Sequence, residues 1–430
     1  MNALVKTIIT MSLFLKEQTL KPLLQCSVLL AFYHYLIFIQ LMVGKMRKAT
    51  ILDEPEEIKK IDKSDLLGLC MKTPEFCEDA IQWAKQIRIP SEVSISEEAS
   101  IKYGRPHHII VAGMGGSAIG GELLQDWLRD ELPIPIDVCR DYALPAYADE
   151  DTLVFAISYS GNTEETLSTF MDAIHRRCMT IAITSGGHLL TFSEKLRIPH
   201  IAVPGWLPPR VAIPHLFFPL PVLMNGMSIL RSIDEDVKEA IEVLKKLSIE
   251  NSPQTPTENN LAKRLALELR DTIPVVYGSR QYGAVAHRWK TQFNENSKVP
   301  SKYDVFPELN HNEVVGWEAS EDFTKKFSVI LLRDREEPPE IRYRIEATKL
   351  LALRKAQKVL EIHAIGEGKL AKMFSMLFVG DLVSAYLAVL QNIDPAPVEI
   401  ITKIKMEMGK RFNIAERLKS EIREITEVGP

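Results

Sequence analysis

"TLVFAISYSGNTEETLSTFMDAI" spans residues 152–174. Seven residues of near-continuous apolar text end at Ser158, and amphipathic text begins again at Glu164. An unbroken apolar run of that length fits a strand buried on both faces, and the segment after it has helical period. Between them stand Ser158, Tyr159, Ser160, Gly161, Asn162 and Thr163, with no lysine, arginine or cysteine. Strand, hydroxyl-rich loop, helix: in an open α/β sheet, ligands bind at this edge. Hydroxyls and free helix N–H groups together hold a phosphate without a lysine. Simple N-capping accounts for Thr163 alone and leaves Ser158 and Ser160 unexplained.

The pattern repeats outward. "HHIIVAG" (107–113) reads as a strand and "SAIGGELLQDWL" (117–128) as a helix. "MTIAITSGG" and "PHIAVPG" read as two more strands. "GMGGSAIGG" (113–121) joins strand to helix, but it has neither GxGxxG spacing nor a GK[ST] ending. Alone it signals an anion loop no better than tight helix–strand packing. "SIENSPQTPTENN" (248–260) has linker composition, after which the alternation resumes. "IPVVYGS", "FSVILLRD" and "KVLEIHAIG" read as strands, with "AVAHRWKTQFNEN" and "EIRYRIEATKLLALRKA" as helices. The expected fold is α/β, two tandem doubly wound parallel-sheet domains. The expected divisions are an extension (1–45), a helical segment (46–95), a first domain (96–247), the linker (248–260) and a second domain (261–430). From Val398 the text reads as one long charged helix.

Composition narrows the function. A net charge of −5 gives no electrostatic footprint for nucleic acid. Five scattered cysteines without a CxxC pair support neither a zinc nor a redox site and suit a reducing, cytoplasmic setting. The ten histidines show no HxH or HExxH spacing, so no metal and no cofactor is implied. Residues 22–44 carry no charge over 23 positions. That is long enough for a membrane anchor, although Gln25, Ser27, His34 and Gln40 weaken it. The competing reading is an upstream extension, with the working chain starting at Met46.

Chemistry needs an acid and a base. Glu295 in "FNENSK" closes a helix, and His311 in "PELNHNEVVGW" follows sixteen residues later. An aldose–ketose exchange needs a carboxylate near the reacting carbons and an acid/base at the ring oxygen. A surface glutamate and a turn histidine would look the same in sequence.

The two loops, "GMGGSAIGG" and "ISYSGNTEET", resemble those of the sugar isomerase (SIS) domain, which binds phosphorylated sugars. With "IDKSDLLGL", "PGWLPPR", "FNENSK", "PELNHNEVVGW" and "DPAPVE", the chain from about residue 50 onward resembles the bifunctional phosphoglucose/phosphomannose isomerase family. The resemblance implies interconversion of glucose 6-phosphate, and of mannose 6-phosphate, with fructose 6-phosphate through a cis-enediol. It implies a homodimer with shared active sites. Gly116, Ser117, Ser158, Ser160 and Thr163 then match substrate positions. Arg210 matches an arginine that supports the enediolate charge, and Glu295 the proton-transfer base. His311 matches a ring-opening histidine supplied by the partner subunit. Lys403, chosen over Lys405 by spacing from "DPAPV", matches a lysine of the C-terminal helix. Relatives often read DPTPV, with a threonine credited with accommodating the mannose epimer; this chain has Ala396 there. Trp206 stands where a small residue is common, and residues 1–45 have no counterpart. The alternatives are a non-catalytic SIS regulator and an isomerase for another sugar phosphate. The acidic segment 50–90 argues against the DNA-binding module that such regulators carry.

Overall fold

The computed structural model describes residues 50–97 and 99–427. The uncharged run at 22–44, and the anchor or extension expected there, lie outside the described residues.

After helix α1 (Thr73–Gln86) and a short antiparallel hairpin, β1 (Glu92–Ser94) with β2 (Ser100–Lys102), the first large sheet begins. It comprises β3 (His108–Gly113), β4 (Ile136–Cys139), β5 (Thr152–Ser158), β6 (Met179–Thr184) and β7 (His200–Ala202). Their order is β4-β3-β5-β6-β7, every neighbour parallel. All residues of β5 and β6 are buried, which is why these strands read as unbroken apolar text. Helices α2 (Gly116–Leu128) and α3 (Glu164–His175) follow β3 and β5. Register aligns Gly113 with Ile157, and Ser158 with Thr184. The loops after β3, β5 and β6 therefore leave one edge of the sheet together.

Helix α4 (Asp234–Glu250) leads to the segment with linker composition, and α5 (Leu261–Leu269) follows it. That segment is no loose tether. Asn251 and Asn260 are buried, and Asn251 Oδ1 accepts from the Ala262 N–H at 3.0 Å. Tyr386 Oη donates to Asn251 O at 2.7 Å. Its polar residues satisfy buried backbone rather than water.

The second sheet contains β8 (Ile273–Ser279), β9 (Lys302–Phe306), β10 (Phe327–Arg333) and β11 (Lys358–His363). Its order is β11-β10-β8-β9, again all parallel. Helix α6 (Gly283–Glu295) follows β8. Helix α7 (Lys369–Leu390) is long and apolar enough to cross a membrane by length and composition, but its window is wholly buried. It packs against α4, α5 and α6, so it forms the central post of the core.

The tail departs from the expected single helix. Helix α8 (Glu399–Gly409) ends before Lys410–Asn413, and α9 (Ile414–Glu427) starts again with Asn413 Oδ1 accepting from the Glu416 N–H at 3.2 Å. Asparagine favours a cap over a helix interior, which ends one helix and starts the next. α9 packs back on the first half: Leu418 and Ile422 join Leu167, Phe170, Met171 and Leu189 in one cluster.

Candidate active site

The first sheet's ligand edge is built from three short turns. After β3, Gly115 takes φ 54, ψ −121, a conformation that side chains disfavour, and α2 begins at Gly116 without a side-chain cap. Ser117 is buried, and its Oγ accepts from the Tyr159 N–H at 3.3 Å, tying the first loop to the second. After β5, Gly161 at φ 67 is obligatory, since a Cβ there would lie 1.7 Å from Gly186 O. The third turn closes on the second: Ser185 Oγ donates to Tyr159 O at 2.6 Å, and Asn162 Oδ1 accepts from the His188 N–H at 3.0 Å.

Within this frame Ser158, Ser160 and Thr163 stand together. Ser158 is fully buried; its Oγ donates to Thr163 Oγ1 at 2.9 Å. Thr163 is at the N-cap position of α3 by backbone, yet its hydroxyl makes no capping bond. Ser160 is exposed, and its Oγ accepts from the Asn162 N–H at 3.3 Å. Capping therefore does not use the threonine hydroxyl. The N-termini of both α2 and α3 lack side-chain caps. At α2 the Ser117 and Ala118 N–H groups turn back to Met114 O and Gly115 O, so the start of α3 is the one that offers backbone donors with its positive dipole end to an anion.

Near the first loop lies an arginine–carboxylate pair. Arg210 is 5% exposed and reaches Glu295 Oε2 through Nη1 at 3.1 Å. Its Nη2 donates to Pro395 O at 3.2 Å and to Ala396 O at 2.6 Å. Its Nε is buried without an acceptor. Arg210 adjoins the first loop, because a Cβ on Gly116 would sit 3.7 Å from Pro209 O. Behind it, Arg288 Nη2 donates to Arg210 O at 2.7 Å and also to Asp381 Oδ2 at 2.7 Å, a buried ion pair that fixes the arginine's backbone. Glu295 ends α6, so the carboxylate stands where the helix opens into the Asn296–Lys298 turn.

The other two residues expected at the site are elsewhere. His311 ends a 3-10 turn after β9 and is exposed; among the described residues no hydrogen bond or ion pair joins it to Glu295 or Arg210. Lys403 is exposed on α8 and, among the described residues, pairs with Glu399 at 3.6 Å; Lys405 is exposed as well. α8 buries none of its residues in this chain. Sequence reading passed over Tyr159, Ser185, Arg288, Asp381 and Lys298. The lone acid Asp381 within the apolar text of α7 was the one available signal. A cleft of about 770 Å³ lined by Ile81, Arg88, Tyr103, Arg105 and Val222 shares no residue with this cluster, and its one acid, Asp234, is already paired with Lys85 at 3.3 Å.

Residues 258–408 match the bacterial phospho-glucose isomerase C-terminal SIS domain. Among curated proteins, a bifunctional phosphoglucose/phosphomannose isomerase from Caldicellulosiruptor bescii is 41% identical, over 77% of this chain and 98% of its own. One from Thermoplasma acidophilum is 35% identical, over 78% of this chain and 98% of its own. A crystal structure of a glucose-6-phosphate isomerase like protein from Thermus thermophilus has the same fold, with a TM-score of 0.54 at 19% identity, covering 80% of this chain and 98% of that one. With identity of this degree across nearly the whole length of its relatives, the chain belongs to the bifunctional phosphoglucose/phosphomannose isomerase family.

Proposed function

We propose that the protein is an aldose–ketose isomerase that interconverts glucose 6-phosphate, and mannose 6-phosphate, with fructose 6-phosphate. The observation that carries this reading is the Arg210–Glu295 pair at 3.1 Å together with the hydroxyl-lined, uncapped start of α3. The phosphate is bound by Ser158, Ser160, Thr163 and the N–H groups of α3. Gly116 and Ser117 face the sugar. Glu295 takes a proton from C2 of the aldose and returns it to C1. The charge then grows on the enediolate oxygens, where Arg210 offers a buried guanidinium with an unused Nε–H. An unsatisfied buried donor is costly, and an oxyanion relieves it. His311 opens the ring from the partner subunit of a homodimer, and Lys403 assists there. The exposure of His311 in a single chain supports that role, as does the bare apolar side of α8, where Ile400 and Ile404 are 66% and 56% exposed. The protein works in the cytoplasm, without metal or cofactor. A coupled assay with each hexose 6-phosphate tests the reading: turnover of glucose 6-phosphate is expected, and none with either aldose overturns it.

A further inference from the structure

Three residues past Glu295, Lys298 adopts φ 56, unfavourable for a residue with a Cβ. The turn that imposes it is pinned to α7. Ser297 Oγ donates to Ser384 O at 2.7 Å, and Asn296 Nδ2 to Ser384 Oγ at 2.9 Å. The chain then returns through the Val299 N–H to Phe293 O at 3.2 Å. So held, the lysine folds its ammonium back to donate to Glu295 O, and across to Pro395 O at 3.2 Å. Pro395 O also accepts from Arg210 Nη2, and Arg210 Nη1 holds the Glu295 carboxylate. The result is a closed ring. It runs from the Glu295 carboxylate through Arg210, Pro395 O and Lys298 to the Glu295 carbonyl.

A ring of this kind does what one salt bridge cannot. Arg210 alone fixes the carboxylate end of a side chain that is still 29% exposed. Lys298 fixes the backbone from which that side chain springs, and ties it to the loop that leads into α8. The charged groups around Glu295 are Arg210, Lys298 and, on the facing loop, Asp394, with the Arg288–Asp381 pair behind. Burial first, and the Arg210 guanidinium second, pull the Lys298 ammonium below its usual range, while Glu295 and Asp394 oppose them. The Lys298 ammonium thus bonds two carbonyls, while the Arg210 guanidinium alone holds the carboxylate.

We propose that Lys298 is a positioning residue for the base: it clamps the end of α6 to the 394–397 loop and, with Arg210, keeps Glu295 aimed. This rests on the reading of Glu295 as the proton-transfer base. The test compares Lys298→Met, Lys298→Asn and Lys298→Arg in the full-length protein. Asparagine tolerates the left-handed backbone but lacks the ammonium; arginine keeps the charge. With fructose 6-phosphate as substrate, the Met and Asn variants are expected to lose roughly tenfold or more in kcat with little change in KM. Lys298→Arg, which keeps the charge, is expected to restore kcat. Backbone amides of residues 396–402 exchange roughly tenfold faster in the Met and Asn variants, at unchanged melting temperature. A Met variant with wild-type kcat overturns the inference, as does an Asn variant that behaves like wild type. The exchange measurement does not depend on turnover. If the wild-type protein isomerises nothing, the functional reading falls, and unchanged exchange in Lys298→Met separately overturns the clamp.

Discussion

At the scale of single residues, Glu295 carries the heaviest demand. Glu295→Gln keeps the shape of the side chain but cannot accept a proton, so turnover is expected to fall roughly 10²–10⁴-fold while sugar-phosphate binding stays nearly intact. Activity within about twofold of wild type would remove Glu295 from the mechanism. Ser160→Ala with Thr163→Ala should raise KM more than it lowers kcat. Each lost bond to a charged phosphate is worth roughly 1.5–3 kcal/mol, and the phosphate is remote from the reacting carbons. The Thr163 hydroxyl does not cap α3 but accepts from buried Ser158, so some fall in melting temperature should accompany the rise in KM; a fall in stability with unchanged KM reverses the assignment. Ala396 governs a subtler matter. Its carbonyl already serves Arg210, and its methyl offers the rotated enediol room without a hydroxyl. Mannose 6-phosphate is therefore expected to be the poorer substrate, with Ala396→Thr improving that reaction selectively; a wild-type preference for mannose 6-phosphate contradicts this. Ser158, Ser160, Thr163, Arg210 and Glu295 could be named from sequence because each lies in a short motif. Asp381 lies in no motif, and Lys298, although it ends the motif that contains Glu295, has no legible role there, because their meaning comes from Arg288 and Pro395, each more than ninety positions away.

At the scale of elements, strands in uniform surroundings are the easiest to read, although the half-exposed edge strands β7 and β11 are legible as well. β5 and β6, buried throughout, announce themselves. The edge strands β4 and β9 went unread: "KYDVF" is half-exposed and carries charge, so it has neither apolar continuity nor a clean alternation. α7 was missed for the opposite reason. A helix buried on every side has no polar face, and periodicity cannot separate it from other apolar text. How α6 is held is another long-range matter. Its first turn is capped from a different helix, where Asp126 Oδ2 accepts from the Ala284 N–H at 2.7 Å. Burial outweighs that bond and raises the Asp126 carboxyl from 3.8 to about 6. A raised folded-state pKa means that this group's contribution is full below its unfolded pKa and is lost as pH rises through about 6. Asp126→Asn keeps an acceptor for Ala284 and removes the buried charge. Its stability relative to wild type should grow as pH rises across that window, by on the order of 3 kcal/mol at most. Melting curves across the window decide it. If the wild-type protein instead gains on the variant as pH rises, the helix dipole, and not burial, controls this carboxyl.

At the scale of the whole molecule, one chain pairs Glu295 with Arg210 but leaves His311 and Lys403 exposed. α8, which carries Lys403, is bare, with Ile400, Ile404 and Met408 exposed. Exposed apolar groups on a helix that buries nothing in its own chain are what a partner surface requires. If that partner is a second copy, each site takes Glu295 from one subunit and His311 from the other. Glu295→Gln and His311→Ala would each be nearly inactive as a homodimer. In a mixed dimer, one site then joins both lesions, and the other joins an intact Glu295 to an intact His311. Unfolding and refolding the two variants together in equal amounts makes about half the dimers mixed, so about a quarter of wild-type activity should return. Recovery depends on subunit exchange and is absent when the two proteins are refolded apart. If the mixture stays as inactive as its parts while mixed dimers form, His311 does not act across the subunit boundary. The ring-opening acid must then be sought within the chain that carries Glu295.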